Sequence, residues 1–344
     1  MKKSEKEDLK RRRLERLVSR IAMYKKDMAE RLLETKKIFK NKVHAVDIHC
    51  HSNHSDGLGT PTEDYECAKN AGIDFLFITD HLSIKQKREI KKYKDASWGQ
   101  EPGACHQHIG LLNNSRLFTP LKESLAEDFR KAGKLAPFVW IPHPAGWYPA
   151  QWYRDEQIEA LWTLGDNFAM EVMNGANKTI SAYDAFDAKA VQIWDKLLCD
   201  GKRVTAVGGS DAHIPDDIGS VWTGVSEARL EASSIISSLR KGNCFASEAP
   251  LMDFSCDGKP MGSEIEIRKK TKIKLSFKIA DSAGIASFSI VANGRILKHV
   301  DAGNKTLLKD SITHIPLKNT YYRLETVSSD KRRAFSTPVY MVLC

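Results

Sequence analysis

The sequence predicts an α/β, barrel-like body with a long helix before it and a small β-sandwich after it. Three observations predict this. Between Lys42 and about residue 249, short apolar runs alternate with capped helical stretches, the pattern of repeated βα units. Before Lys42, apolar residues recur at helical spacing with no Gly or Pro from Leu9 to Phe39. From Leu251 onward the texture becomes strictly alternating, as in half-buried antiparallel strands. A chain of 344 residues, 42% hydrophobic and 28% charged, is long enough for one ordinary core or two.

Residues 1–42 form the first part. Leu14, Leu17, Val18, Ile21, Met28, Leu32 and Ile38 mark one helical face among charges. This segment holds 16 basic and 7 acidic side chains, which accounts for the whole formal charge of +9. The remainder is neutral, which argues against the body being a nucleic-acid platform. No apolar run approaches the roughly 18 residues of a membrane span, and MKKSEKEDLKRRR lacks a secretory core, so a cytoplasmic protein without membrane contact is expected. Seven scattered cysteines with no CxxC pair are expected to be free thiols.

Residues 43–249 form the second part. Ala45 to Ile48 reads as a strand. Thr60-Pro-Thr-Glu63 supplies an N-cap, a Pro at the first helical position and a capping-box Glu, and Gly72 ends that helix. Further strands are expected at Phe75–Thr79, Phe138–Ile141, Phe168–Met173 and Val204–Val207, with helices over Pro120–Lys131 and Ala182–Asp200. Residues 250–344 form the third part, where Ile273–Ile279 and Ala286–Ala292 alternate and Asp257-Gly258 and Asn293-Gly294 supply turns. The joint is expected near Glu248-Ala249-Pro250.

Nine of the eleven histidines fall in the body. His49-Cys-His51 follows the first strand, where residues two apart point to one side and both imidazoles can reach one ion. Asp80-His81, His143 and Asp211-Ala-His213 each follow another strand. In parallel α/β barrels those strand ends share one face, so groups distant in sequence meet there. Imidazoles mixed with carboxylates suit Zn, Mn or Fe.

His49-Cys-His51-Ser-Asn-His-Ser-Asp56-Gly57, Thr60-Pro61, Ile78-Thr79-Asp80-His81 and Gly209-Ser210-Asp211-Ala-His213 resemble the PHP (polymerase and histidinol phosphatase) metallohydrolases. The resemblance covers about residues 43–249 and implies a distorted (β/α)7 barrel with two or three divalent metal ions at one face. It implies His49, His51 and Asp211 on the first metal, and Asp56, His81 and His213 on the second. Glu101, His108 and His143 would hold the third, with Glu101 bridging to the first. Gly99-Gln-Glu101 and His108-Ile-Gly resemble the family's GxE and GH segment, with His106 adjacent. His54 could contact substrate, support a ligand or simply be solvated. Asp80 could orient an imidazole or cap a turn. Ile141-Pro-His143-Pro-Ala-Gly146, Met170-Glu171-Val-Met-Asn174-Gly175 and Val291-Ala-Asn293-Gly294 are similar to the carbaryl-hydrolase-like branch of the family.

The implied activity is hydrolysis of a small phosphomonoester or nucleotide. Carboxyl-ester, carbamate or amide hydrolysis, cleavage of short oligonucleotides and a non-catalytic scaffold are the alternatives. Trp147, Tyr148, Trp152 and Tyr153 could stack on a substrate, and Lys85, Arg88, Arg154 or Lys178 could clamp a phosphate.

Overall fold

The computed structural model describes residues 3–104, 107–120, 124–146, 157, 167–176, 183–226 and 228–344. Helix α1 spans Lys3–Phe39, starting earlier than its apolar stripe because the charged first turns continue the helix without a breaker. In the body, strands β1 (Val43–Asp47), β2 (Phe75–Ile78) and β3 (Ala96–Gln100) pair in parallel. Helix α2 (Pro61–Asn70) connects the first two, and its capping box is formed by Thr60 and Glu63 as expected. The short α3 (Gln86–Ile90) precedes β3, and the two-residue strands β4 (Gly103–Ala104) and β5 (Gln107–His108) pair with each other.

Strand β6 (Gly110–Leu112) then runs antiparallel between β3 and β7 (Phe138–Ile141). Strands β8 (Asn167–Asn174) and β9 (Arg203–Gly209) continue in parallel from β7. Consequently β1, β2, β3, β7, β8 and β9 all point the same way, and their C-terminal ends lie along one edge. Beyond β9 the chain returns to its start: Cys50 forms a parallel bridge with Ala212, Asp211 N–H donates to His49 O at 2.7 Å, and His51 N–H donates to Ala212 O at 2.9 Å. β10 (Trp222–Ser226) and β11 (Cys244–Ser247) extend the other side of β1 in antiparallel fashion, separated by helix α6 (Ala232–Arg240).

Two helices differ from expectation in their limits. Helix α4 is Leu125–Leu135 because Ser124 accepts from Glu127 N–H and so sets the start past Pro120. Helix α5 is Ala185–Cys199, opened by an Asp184/Asp187 capping box.

The C-terminal region is β-rich. Strands β12 (Leu251–Cys256), β13 (Lys259–Pro260), β14 (Glu264–Ile267), β15 (Ile273–Ala292), β16 (Arg295–His314), β17 (Thr320–Ser328), β18 (Arg333–Ser336) and β19 (Val339–Leu343) complete it. The two alternating runs of the sequence belong to one 20-residue strand, β15, with an irregular step between Ala280 and Ile285. Across that step β15 changes its neighbour from β12 to β17 while keeping β16 on its other side. Asn293-Gly294 turns the hairpin with φ of 48° and 71°, the left-handed pair that such a turn requires. Near Glu248-Ala249-Pro250, where the joint is expected, Glu248 and Ala249 are buried, and β11 pairs with β18.

Candidate metal centre

The same-direction strands bring seven of the nine expected ligands together, and β5 and the loop after His51 bring the other two. His49 and His51 follow β1, His81 follows β2, Glu101 follows β3, His108 ends β5, His143 follows β7, and Asp211 and His213 follow β9. Asp56 reaches them from the loop after His51. Asp80 shapes that loop: its carboxylate accepts from Ser52 N–H and Ser52 Oγ, both at 2.8 Å, and from Ser55 Oγ at 2.7 Å. Those two hydroxyls and that amide, and no imidazole, are its partners among the described residues, so Asp80 braces the Ser52–Ser55 turn that leads to Asp56.

Among the described residues, three groups of side chains converge closely enough to hold ions: His49, His51, Glu101 and Asp211; His51, Asp56, His81 and His213; and His81, Glu101 and His108. In the first, His49 Nε2 and His51 Nε2 lie 3.2 and 3.3 Å from Glu101 Oε2, and His51 Nε2 lies 3.2 Å from Asp211 Oδ1. In the second, Asp56 Oδ2 lies 3.2 Å from His81 Nε2 and 3.3 Å from His213 Nε2. Around Glu101 Oε1, His108 Nδ1 stands at 3.0 Å and His143 Nε2 at 2.8 Å. Glu101 thus faces two clusters with its two oxygens, and His51 faces two with its two nitrogens, its Nδ1 lying 3.8 Å from Asp56 Oδ1.

The electrostatics follow from burial and mutual charge. Burial disfavours a charged His49, yet Glu101, Glu171 and Asp211 hold its imidazole well above the usual histidine range. His51 is raised against the same burial to about 9 by the Asp211 and Glu101 carboxylates beside it. Burial acts to raise Glu101 and Asp211, but the surrounding imidazoles hold both carboxyls low. His81 is lowered, chiefly by burial. Without cations, protons on imidazoles are what balance this concentration of carboxylates.

The residues fit a bound cation. Among the described residues, Glu101 Oε2, His51 Nδ1 and His143 Nδ1 are buried without a hydrogen-bond partner. Each such orphan costs about 1–3 kcal/mol unless something else satisfies it. For Glu101 Oε2, ringed by His49 and His51 nitrogens, a cation is a fitting partner.

The remaining expectations fall at the rim or outside the described residues. His54 is paired through Nε2 with Glu89 at 2.6 Å, a contact partly open to solvent. Lys85 and Arg88 are exposed around α3. His106, Trp147, Tyr148, Trp152, Tyr153, Arg154 and Lys178 lie outside the described residues.

Two carboxylates were not legible as site residues. Asp47, at the end of β1, accepts from His49 N–H, Ser210 N–H and Gly219 N–H, tying the exits of β1 and β9 together, and burial pushes it up to about 6. Glu171 accepts from the His49 ring at 2.8 Å. The available signal was its position: an acid inside the apolar run Phe168–Met173 must find a partner.

Comparison with known proteins agrees with this architecture. A family model described as PHP-associated matches residues 198–244. A two-domain protein from Bacteroides vulgatus, described as containing a predicted PHP-like metal-dependent phosphoesterase, is 19% identical with a TM-score of 0.51. It covers 87% of this chain and 95% of its own, so the two share a fold across nearly their whole lengths. PsfC from Pseudomonas syringae is 16% identical over 58% of this chain and 88% of its own, TM-score 0.43. A metal-dependent phosphoesterase, described as putative, from Bifidobacterium adolescentis is 15% identical over 50% of this chain and 89% of its own, TM-score 0.37. No curated protein matches. The chain therefore matches a PHP-associated family model over residues 198–244, shares its fold with the Bacteroides vulgatus protein, and gathers a histidine and carboxylate cluster able to bind metal.

Proposed function

We propose that the chain is a metal-dependent hydrolase acting on a small phosphomonoester or nucleotide. The observation that carries this reading is the convergence of His49, His51, Asp56, His81, Glu101, His108, His143, Asp211 and His213 on one strand-end face, linked by the two oxygens of Glu101. These nine are the proposed ligands of two or three divalent ions, and the imidazole-rich set suits Zn, Mn or Fe. We further read residues 43–249 as a distorted seven-unit barrel between the helix of residues 1–42 and a β-domain of residues 250–344.

When bound, such ions would activate water as a nucleophile near neutral pH and offset negative charge on the substrate. The chain's own residues do the rest. Glu101 holds two clusters at a fixed spacing, and the Asp80 carboxylate fixes the Ser52–Asp56 loop so that Asp56 faces His81 and His213. His54, steadied by Glu89 at the rim, is the side chain we assign to substrate contact.

The test is elemental analysis of the purified protein, followed by turnover of p-nitrophenyl phosphate against p-nitrophenyl acetate with Mn or Zn added. Two to three metals per chain with phosphate-ester turnover is the expected result. Turnover of the acetate alone would move the assignment to carboxyl-ester or carbamate hydrolysis. Absence of both metal and turnover would return the chain to the scaffold reading.

A further inference from the structure

Glu171 lies in β8 among Ala169, Met170, Val172 and Met173, all buried, and is itself 0% exposed. It belongs to none of the three converging groups, yet it touches two of their members or neighbours directly. Its Oε1 accepts from His49 Nδ1 at 2.8 Å. Its Oε2 accepts from the His143 backbone N–H at 2.8 Å and from Asn174 Nδ2 at 3.0 Å. Asn174 Nδ2 also donates to Asp211 Oδ2 at 3.2 Å. One buried carboxylate and one amide therefore join three of the nine proposed ligands from behind.

The chemistry of these contacts is directional. A carboxylate only accepts, so the His49 ring must carry a proton on Nδ1, which leaves Nε2 as the nitrogen facing Glu101 Oε2 and Asp211 Oδ1 at 3.2 and 3.4 Å. His143 has φ of 25°, an unfavourable left-handed conformation for a side-chain-bearing residue, and its N–H is held by Glu171. The space is matched as well: a Cβ on Gly209 would lie 3.0 Å from Glu171 Oε1 and 2.5 Å from His49 Cβ, so glycine at that point lets the pair meet.

We propose that Glu171 is a positioning residue that sets the His49 tautomer and, with Asn174, fixes His49, His143 and Asp211 relative to one another for cation binding. The proposal rests on the reading of the cluster as a metal centre, but not on the reaction. Glu171→Gln is the discriminating variant, because it keeps the shape while offering one oxygen to donors that the carboxylate serves with two. Its NH2 must then face either the His49 ring or the His143 N–H.

The experiment titrates zinc into chelator-treated protein by competition with a chromophoric chelator, and reads imidazole nitrogen signals by NMR, with the His49 ring identified by its loss in His49→Gln. The expected result for Glu171→Gln is zinc affinity weakened roughly 10- to 100-fold and loss of the His49 Nδ1–H signal, with Glu171→Asp recovering part of both. Asn174→Ala, which leaves Glu171 in place, is expected to weaken zinc binding less. Zinc affinity within about twofold of wild type in Glu171→Gln, with the His49 signal unchanged, would overturn the proposal. Should Glu171→Gln fail to fold, unchanged zinc affinity in both Glu171→Asp and Asn174→Ala overturns it. A wild-type protein that binds zinc but hydrolyses neither ester defeats the proposed function and leaves this comparison standing. A wild-type protein that binds no zinc defeats both.

Discussion

Glu101 serves the site through both of its oxygens, with His49, His51 and His81 near Oε2 and His108 and His143 near Oε1. Glu101→Gln is therefore expected to lose most of the bound metal in elemental analysis, whereas Asp211→Ala or His81→Ala should lose metal-dependent turnover with the fold largely kept. Full activity in either alanine variant would contradict the ligand assignment. The titration of His51 gives a pH prediction. Its folded value of about 9 lies above the ordinary 6.5. In metal-free protein the protonated ring adds stability that is fully present below about pH 6.5 and is lost as pH rises through about 9. A cation needs the deprotonated ring, so zinc affinity should increase over the same window. Calorimetric titrations at about pH 6.5 and about pH 8.5 test this, and equal affinities would count against it.

At the scale of elements, α1 has two distinct halves. Leu14, Leu17, Val18 and Met23 are exposed, while Ala29, Leu32 and Phe39 are buried in the molecule. Arg31 binds Asp281 through Nε and Nη2 at 2.8 and 2.6 Å and reaches Asp330 at 2.7 Å, and Lys36 pairs with Asp74 at 2.6 Å. Two of its basic side chains, Arg31 and Lys36, are thus engaged with acids on the β-rich region and the body. Removing residues 1–42 would expose core, so the informative truncation ends near Arg20. Deleting residues 1–20 should leave the urea midpoint nearly unchanged, whereas Phe39→Ala should cost about 3–5 kcal/mol in the same assay. A large shift on deleting residues 1–20 would show that the exposed half has a partner within the chain.

Across the whole molecule, the body and the β-rich region share their cores. One buried cluster joins Leu76 and Ile78 to Leu251, Phe254 and Leu324, and another joins Trp194 and Val204 to Val291, Tyr321 and Phe335. Arg323 of β17, 1% exposed, holds Asp195 of α5 with bonds of 3.0 and 2.7 Å, contacts Glu325 and lies over the Trp194 ring. Asp195 and Glu325 are only half-buried, so removing the buried arginine leaves two partly solvated carboxylates without their cation, at a cost of about 1–3 kcal/mol. Arg323→Ala should lower the melting temperature accordingly, and wild type should unfold in one calorimetric transition. Two well-separated transitions would mean that the shared clusters do not couple the regions.

Much of this molecule was legible locally. Alternation along extended backbone put His49 and His51 on one side, Thr60 and Glu63 announced a helix start, and Asn293-Gly294 announced a hairpin, because each depends on neighbours within a turn or two. The nine proposed ligands were read from their motif and from their places after strands. What β15 would do at Asp281, where β6 would insert, and which partners the buried charges would take depended on how elements stack. Glu171 lies 122 residues from His49, and Arg31 lies 250 from Asp281. The sequence by itself picked out the nine proposed ligands and most of the strand ends after which they fall. Only the tertiary structure decided which atom faces which, since a buried charge takes its partner from the register of packed strands and helices, and that register is a property of the assembled sheet rather than of any segment within it.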